Sequence, residues 1–151
     1  MAVPYPAFCF LSSTFSSLTP VTIPAHFSAI FRVPDFVHLH LHSHYSLLDG
    51  LGKVEEYVEK AQSYGMKALA LTDKGNVHGL IDLYKACKKK DMQAILGCEM
   101  YLAARSRFDK EAGVDARRSH IVLLVKNTTG YENLLALSTE AFVTGMYYKP
   151  R

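Results

Sequence analysis

From Phe36 onward the chain alternates between two rhythms of apolar and polar positions. "FVHLHL" has a period of two, which predicts a strand with Val37, Leu39 and Leu41 on one face and His38, His40 and His42 on the other. "KVEEYVEKAQSYG" changes to helical spacing, with Val54, Tyr57, Val58 and Ala61 on one side and Gly65 as the stop. "KALALTD" predicts a short strand. "VHGLIDLYKACKKKD" predicts a second helix with Leu80, Leu83, Tyr84 and Cys87 on one face. "QAILGCEMYLA" reads as strand, glycine, then further extended chain, and "RSRFDKEAGVDARRS" as a charged loop. "HIVLLVK" predicts another strand and "GYENLLALSTEAF" a third helix. Strand alternating with helix predicts an α/β fold of parallel strands joined by crossover helices. A closed barrel of this kind needs about 250 residues, whereas the regular part, residues 35–151, has 117. The expected architecture is therefore about the first half of a barrel, or a small open sheet with an exposed edge.

Residues 1–34 follow neither rhythm. They contain no acidic residue, one Arg and five Pro among many Ser, Thr and Phe. A secretory signal would start with basic side chains and a transit peptide would be rich in Arg; this segment does neither. It is read as a disordered or non-native leader, with the domain running from residue 35 to 151.

Charge and cysteine content narrow the picture only a little. Arg32 gives +1 to residues 1–34, and 16 Lys and Arg against 14 Asp and Glu give +2 to the rest, for +3 in all. Such a balance does not by itself indicate a nucleic-acid or membrane surface. The run Lys88-Lys89-Lys90 reads as a solvated helix end. Cys9, Cys87 and Cys98 have no paired spacing, which fits a reducing cytoplasm. No apolar run approaches the ~18 residues a membrane span requires.

The chemistry lies in the polar positions beside the strands. Four of the seven histidines fall in "HLHLHSH". Alternate histidines on one strand face lie about 7 Å apart at the backbone, close enough for neighbouring imidazoles to converge on a Zn, Mn or Fe ion. A single HxH serves equally well as a solvated polar face. Ser43, Ser46, Asp49 and Gly50 then form a polar turn at the strand end, where a parallel-sheet site belongs. Asp73 follows the next strand and reads either as a catalytic carboxylate or as a turn carboxylate. Glu99 sits among apolar neighbours and needs a partner or a metal. His120 opens the strand after that. HxH, Asp, Glu and His, each beside an apolar strand, form an order more specific than any member, and one suited to divalent metals in phosphate hydrolysis.

The phrases "FVHLHLHSHYSLLDG", "MKALALTDKGNVHGLIDLYKACKKK", "AILGCEMYLA", "RFDKEAGVDARRSHIVLLVKN", "GYENLLALS" and "GMYYKPR" together resemble the PHP (polymerase and histidinol phosphatase) domain. More narrowly, they resemble the amino-terminal part of bacterial DNA polymerase III alpha subunits. The resemblance runs from about Asp35 to Arg151. It implies a partial PHP-type distorted (β/α)7 barrel, with up to three divalent ions at the strand carboxyl ends. It assigns metal ligation to His40, His42, Asp49, Glu99 and His120, leaving His38 beside the site and His44 outside the pattern. Where the family has "TDH" this chain has Thr72-Asp73-Lys74. An ammonium has donors only, so the resemblance implies one weakened or empty metal position. It further implies 3′–5′ exonuclease or phosphoesterase chemistry, with the rest of a polymerase chain, replisome subunits and DNA as partners. The polymerase carboxylates of the family lie outside these residues, so this chain is not expected to polymerise DNA. A free-standing histidinol-phosphatase-like phosphoesterase and a non-catalytic scaffold remain alternatives at this point.

Overall fold

A computed structural model describes residues 36–151. The expectation for residues 1–34 lies outside the described residues. Three helices and three strands follow in the order α1 (Val54–Ser63), β1 (Ala68–Leu71), α2 (Leu80–Lys89), β2 (Gln93–Ala103), β3 (Arg118–Leu124) and α3 (Thr128–Val143).

Helix α1 starts where the Glu56 side chain accepts from the Lys53 backbone N–H at 3.2 Å. It stops at Gly65, whose φ of +77° suits a residue without Cβ. The core forms where Val54, Val58 and Ala61 of α1 meet Leu80, Leu83 and Cys87 of α2 and the fully buried Leu69 and Leu71 of β1. Each such leucine contributes about 1.5–3 kcal/mol by leaving water. Tyr84, expected on the buried face of α2, is exposed, with Lys88 above its ring; Ala86 takes the buried place instead. The phenol lies at the margin of the apolar stripe, where water is the better neighbour for a large polar-tipped ring.

Strands β1 and β2 are parallel, with α2 as the crossover, as the alternation predicted. Strand β2 is one continuous element of 11 residues and changes partner along its length. Gln93–Leu96 pair with β1, and Gly97–Ala103 pair antiparallel with β3. The antiparallel return arises because residues 104–117 hold no helix to carry the chain back for a parallel crossover. Gly97 marks the change of partner: a Cβ there would lie 2.6 Å from the Leu123 carbonyl oxygen. The architecture remains α/β, a partial barrel with parallel strands.

The segment expected to be the first strand, residues 36–42, makes no regular ladder. It runs beside β1 and is held by Ala70 N–H to His38 O (3.0 Å) and Thr72 N–H to Leu41 O (2.8 Å). Two residues along β1 face three along this segment, a bulge-like offset that interrupts regular pairing.

The charged loop between β2 and β3 is organised around Asp115, which is 0 % exposed. Arg105 donates to both of its carboxylate oxygens, at 2.9 and 2.5 Å, and the Glu111 backbone N–H adds a third bond at 2.8 Å. Arg151 joins the same region, donating to the backbone carbonyls of Gly145 (3.2 Å), Asp115 (2.8 Å) and Asp109. The hydrogen bonds from Arg105 outweigh burial and hold the Asp115 carboxyl down at about 2. An unfolded Asp titrates near ~3.9. This carboxylate's contribution to stability is therefore complete above pH ~4 and lost as pH falls toward 2. Melting temperature measured between pH 5 and 2 is expected to fall more steeply in the natural protein than in Asp115→Asn. Parallel curves would show that the loop does not depend on this charge.

Candidate metal centre

Glu99 is central to the site. It lies in the antiparallel half of β2, opposite Val122 of β3, and is 5 % exposed. The pairing places His120 diagonally across from it, two residues before Val122 on the same strand. His120 Nδ1 comes within 3.4 Å of Glu99 Oε1. From the other side of β1, the 36–42 segment delivers His42 Nε2 and His40 Nε2 to Glu99 Oε2, at 2.6 and 2.8 Å. The two Nε2 atoms are 3.2 Å apart. His40, His42 and Glu99 thus form a group able to hold a metal ion. For bonds of ~2.0–2.2 Å, donor atoms around one ion lie about 3 Å from one another. Two imidazole nitrogens and a carboxylate oxygen meet that spacing here, and their chemistry suits a divalent cation of the Zn, Mn or Fe type.

Burial pushes the Glu99 pKa up, but the hydrogen bonds with His40 and His42, and the charges of His42 and Lys74, outweigh it and leave the pKa below the ordinary carboxylate value. The carboxylate is therefore kept ionised. Cys98, next in sequence, does not join it: its thiol donates to the Asp73 carbonyl at 3.2 Å, and burial pushes it up to about 12.

Asp49 is not in direct contact with this group. Its Oδ2 lies 3.2 Å from Lys74 Nζ. Lys74 in turn neighbours Glu99 through the backbone, as an isolated parallel bridge extended by Gly75 N–H to Glu99 O at 2.8 Å. Burial alone would lower the Lys74 pKa; the hydrogen bond to Asp49 and the charges of Glu99 and Asp49 outweigh it, so the ammonium stays charged.

Asp73 is engaged by serines. It is 1 % exposed and accepts from Ser43 N–H (2.7 Å), Ser43 Oγ (2.8 Å) and Ser46 Oγ (2.6 Å). In this geometry Asp73 ties residues 43–46 to the end of β1. The turn it holds is tight and strained. Leu48 has φ +70°, and a Cβ on Gly50 would lie 2.1 Å from the Ser43 carbonyl oxygen. His38 packs edge-on against Phe36 and His44 lies against Tyr45, both apart from Glu99.

Residues that the sequence did not single out line a cavity of ≈ 450 Å³ beside the Lys74–Asp49 pair, among them His78, Tyr101, Phe142 and Lys149. They come from separate parts of the chain, and no local spacing connects them. Among the described residues, no helix is long and apolar enough to cross a membrane.

Comparison with known proteins places this geometry in context. Residues 38–151 match the family model described as the PHP domain. A DNA polymerase III subunit alpha of Treponema pallidum (strain Nichols) is 51% identical over 117 residues, covering 77% of this chain and 10% of that protein. The corresponding subunit of Chlamydia pneumoniae is 48% identical over 117 residues, covering 77% and 9%. The chain thus spans about a tenth of the length of the curated relatives it matches. Among solved structures, an amidohydrolase from Chromobacterium violaceum, with bound sulfate and no metal, superposes with a TM-score of 0.51 at 25% identity. The match covers 70% of this chain and 32% of that one.

Proposed function

The chain belongs to the PHP domain family, and from that premise we propose that it is the PHP module of a bacterial replicative DNA polymerase alpha subunit, carrying a divalent-metal phosphoesterase site. The observation that carries the reading is the convergence of His40 and His42 on one oxygen of Glu99. His40, His42 and Glu99 would hold the ion, with His120 on the second Glu99 oxygen completing the set. Asp49 would add negative charge at the rim. The identity over residues shared with DNA polymerase III alpha subunits supports a setting in DNA replication, with the remainder of a polymerase chain, replisome subunits and DNA as partners in the cytoplasm.

A divalent ion at this place supplies Lewis acidity toward a phosphoryl oxygen and neutralises its charge. The protein's own groups do the rest. Glu99, ionised and fixed in the middle of a strand, sets the position of both imidazoles. His120, beside the other Glu99 oxygen and about as exposed as His40, meets solvent at the rim of the site. The neighbouring cavity offers Lys149 to a phosphate and Tyr101 and Phe142 to an attached apolar or aromatic group.

The test is metal removal. The purified chain, loaded with Mn²⁺ or Zn²⁺, is expected to shorten a 5′-labelled oligodeoxynucleotide from its 3′ end and to cleave a small phosphodiester. EDTA is expected to return both rates to background, and re-addition of metal to restore them. Bound metal with both substrates left intact would remove the phosphoesterase part of the reading and leave a structural metal site.

A further inference from the structure

We propose that the Lys74 ammonium takes the electrostatic place of a second cation, so that this chain binds one divalent ion rather than two. The inference rests on the metal reading of His40, His42 and Glu99 and specifies its stoichiometry.

The geometry divides the site into two halves that share Glu99. On one side the two histidine nitrogens meet Glu99 Oε2, at 2.8 and 2.6 Å. On the other, Lys74 leaves the backbone directly beside Glu99 and reaches Asp49, Nζ to Oδ2 3.2 Å. Its side chain is only 20 % exposed, so the ammonium is held within the site rather than extended into solvent. Asp49 is the additional carboxylate that a second ion would draw on, and it is already paired.

The position of Lys74 is fixed from two directions. Its backbone N–H donates to Ser46 Oγ at 3.0 Å, and Ser46 Oγ donates to the buried Asp73 at 2.6 Å. Asp73 is the same carboxylate that holds the turn bearing Asp49. The latch that positions the carboxylate thus also positions the cation facing it. An ammonium carries three donors and no lone pair. It can satisfy Asp49 but cannot ligate a metal, and its charge opposes a divalent ion on the same carboxylate. Asp49 and Glu99 contribute two negative charges and Lys74 one positive, a net of −1. One divalent ion brings the group to +1, whereas two would bring it to +3.

The experiment counts ions per chain at saturating Zn²⁺ and at saturating Mn²⁺, by native mass spectrometry and elemental analysis of the dialysed protein. The natural chain is expected to hold one. Lys74→Gln, which removes the charge at similar length, is expected to hold two, and the second is expected to be lost again in Lys74→Gln/Asp49→Asn. Lys74→Arg, which keeps the charge, is expected to remain at one and guards against an effect of altered folding. Two ions in the natural chain, two in Lys74→Arg, or one in Lys74→Gln would overturn the role given to Lys74 while leaving the metal site standing. No ion in any of the four proteins would overturn the metal reading itself, and this inference with it.

Discussion

Glu99→Gln is expected to lower divalent-metal affinity by about 100-fold or more, because changes one layer outside a metal site already cost 10–100-fold and Glu99 lies at its centre. The substitution keeps the shape of the side chain and removes its charge. Two imidazole nitrogens 3.2 Å apart would then converge on a neutral amide in place of a carboxylate. The 5 % exposure of Glu99 gives solvent little means of compensating. Because both Glu99 oxygens are engaged, whichever becomes the amide NH2 takes an acceptor from either His120 or the His40–His42 pair. Titration against a chelator of known affinity measures the effect. An affinity within a few-fold of the natural protein would mean that the histidines bind elsewhere or do not bind.

Asp73→Ala is expected to be the most damaging single change to stability near the site, at about 3 kcal/mol or more. The carboxylate accepts three bonds from groups on Ser43 and Ser46. Removing it leaves a backbone N–H and two hydroxyls without their acceptor in a region closed to water, and each buried orphan costs ~1–3 kcal/mol. For a unit of this size the loss corresponds to about 10 °C in melting temperature. Asp73→Asn, which retains one acceptor oxygen, is expected to fall between the two. Calorimetry on the three proteins tests this ranking. A melting temperature for Asp73→Ala within 2–3 °C of the natural chain would show that the turn is held by other contacts.

These two carboxylates also show what could be read from the sequence. The order HxH, Glu, His was legible because each residue lies beside an apolar strand, and strand direction fixes where its side chain goes. His40, His42, Glu99 and His120 do come together in space. Asp73 remained open between two roles, since its partners lie 27 and 30 residues away and nothing local distinguishes a turn carboxylate from a catalytic one. The Lys74–Asp49 pair was hidden for the same reason: Lys74 was legible as a departure, but its partner was not. Asp115 was one more charge in a charged loop; its burial accompanies the bonds from Arg105, which composition does not encode. The antiparallel turn into β3 was not read from the sequence, where parallel strands were expected, although the connection before it holds no helix. The missing ladder at residues 36–42 depends on a one-residue offset, which alternation cannot reveal.

That offset bears on more than chemistry. The segment carrying His40 and His42 is joined to β1 by few backbone bonds, and its firmest tie across the sheet is the pair of imidazoles on Glu99. On the proposed reading, an ion shared by those three side chains acts as a rung of the sheet, made of metal where the peptide rungs are missing. Binding free energy at the site then enters the free energy of folding. The chain's resistance to heat and proteases would then rise and fall with the supply of its ion.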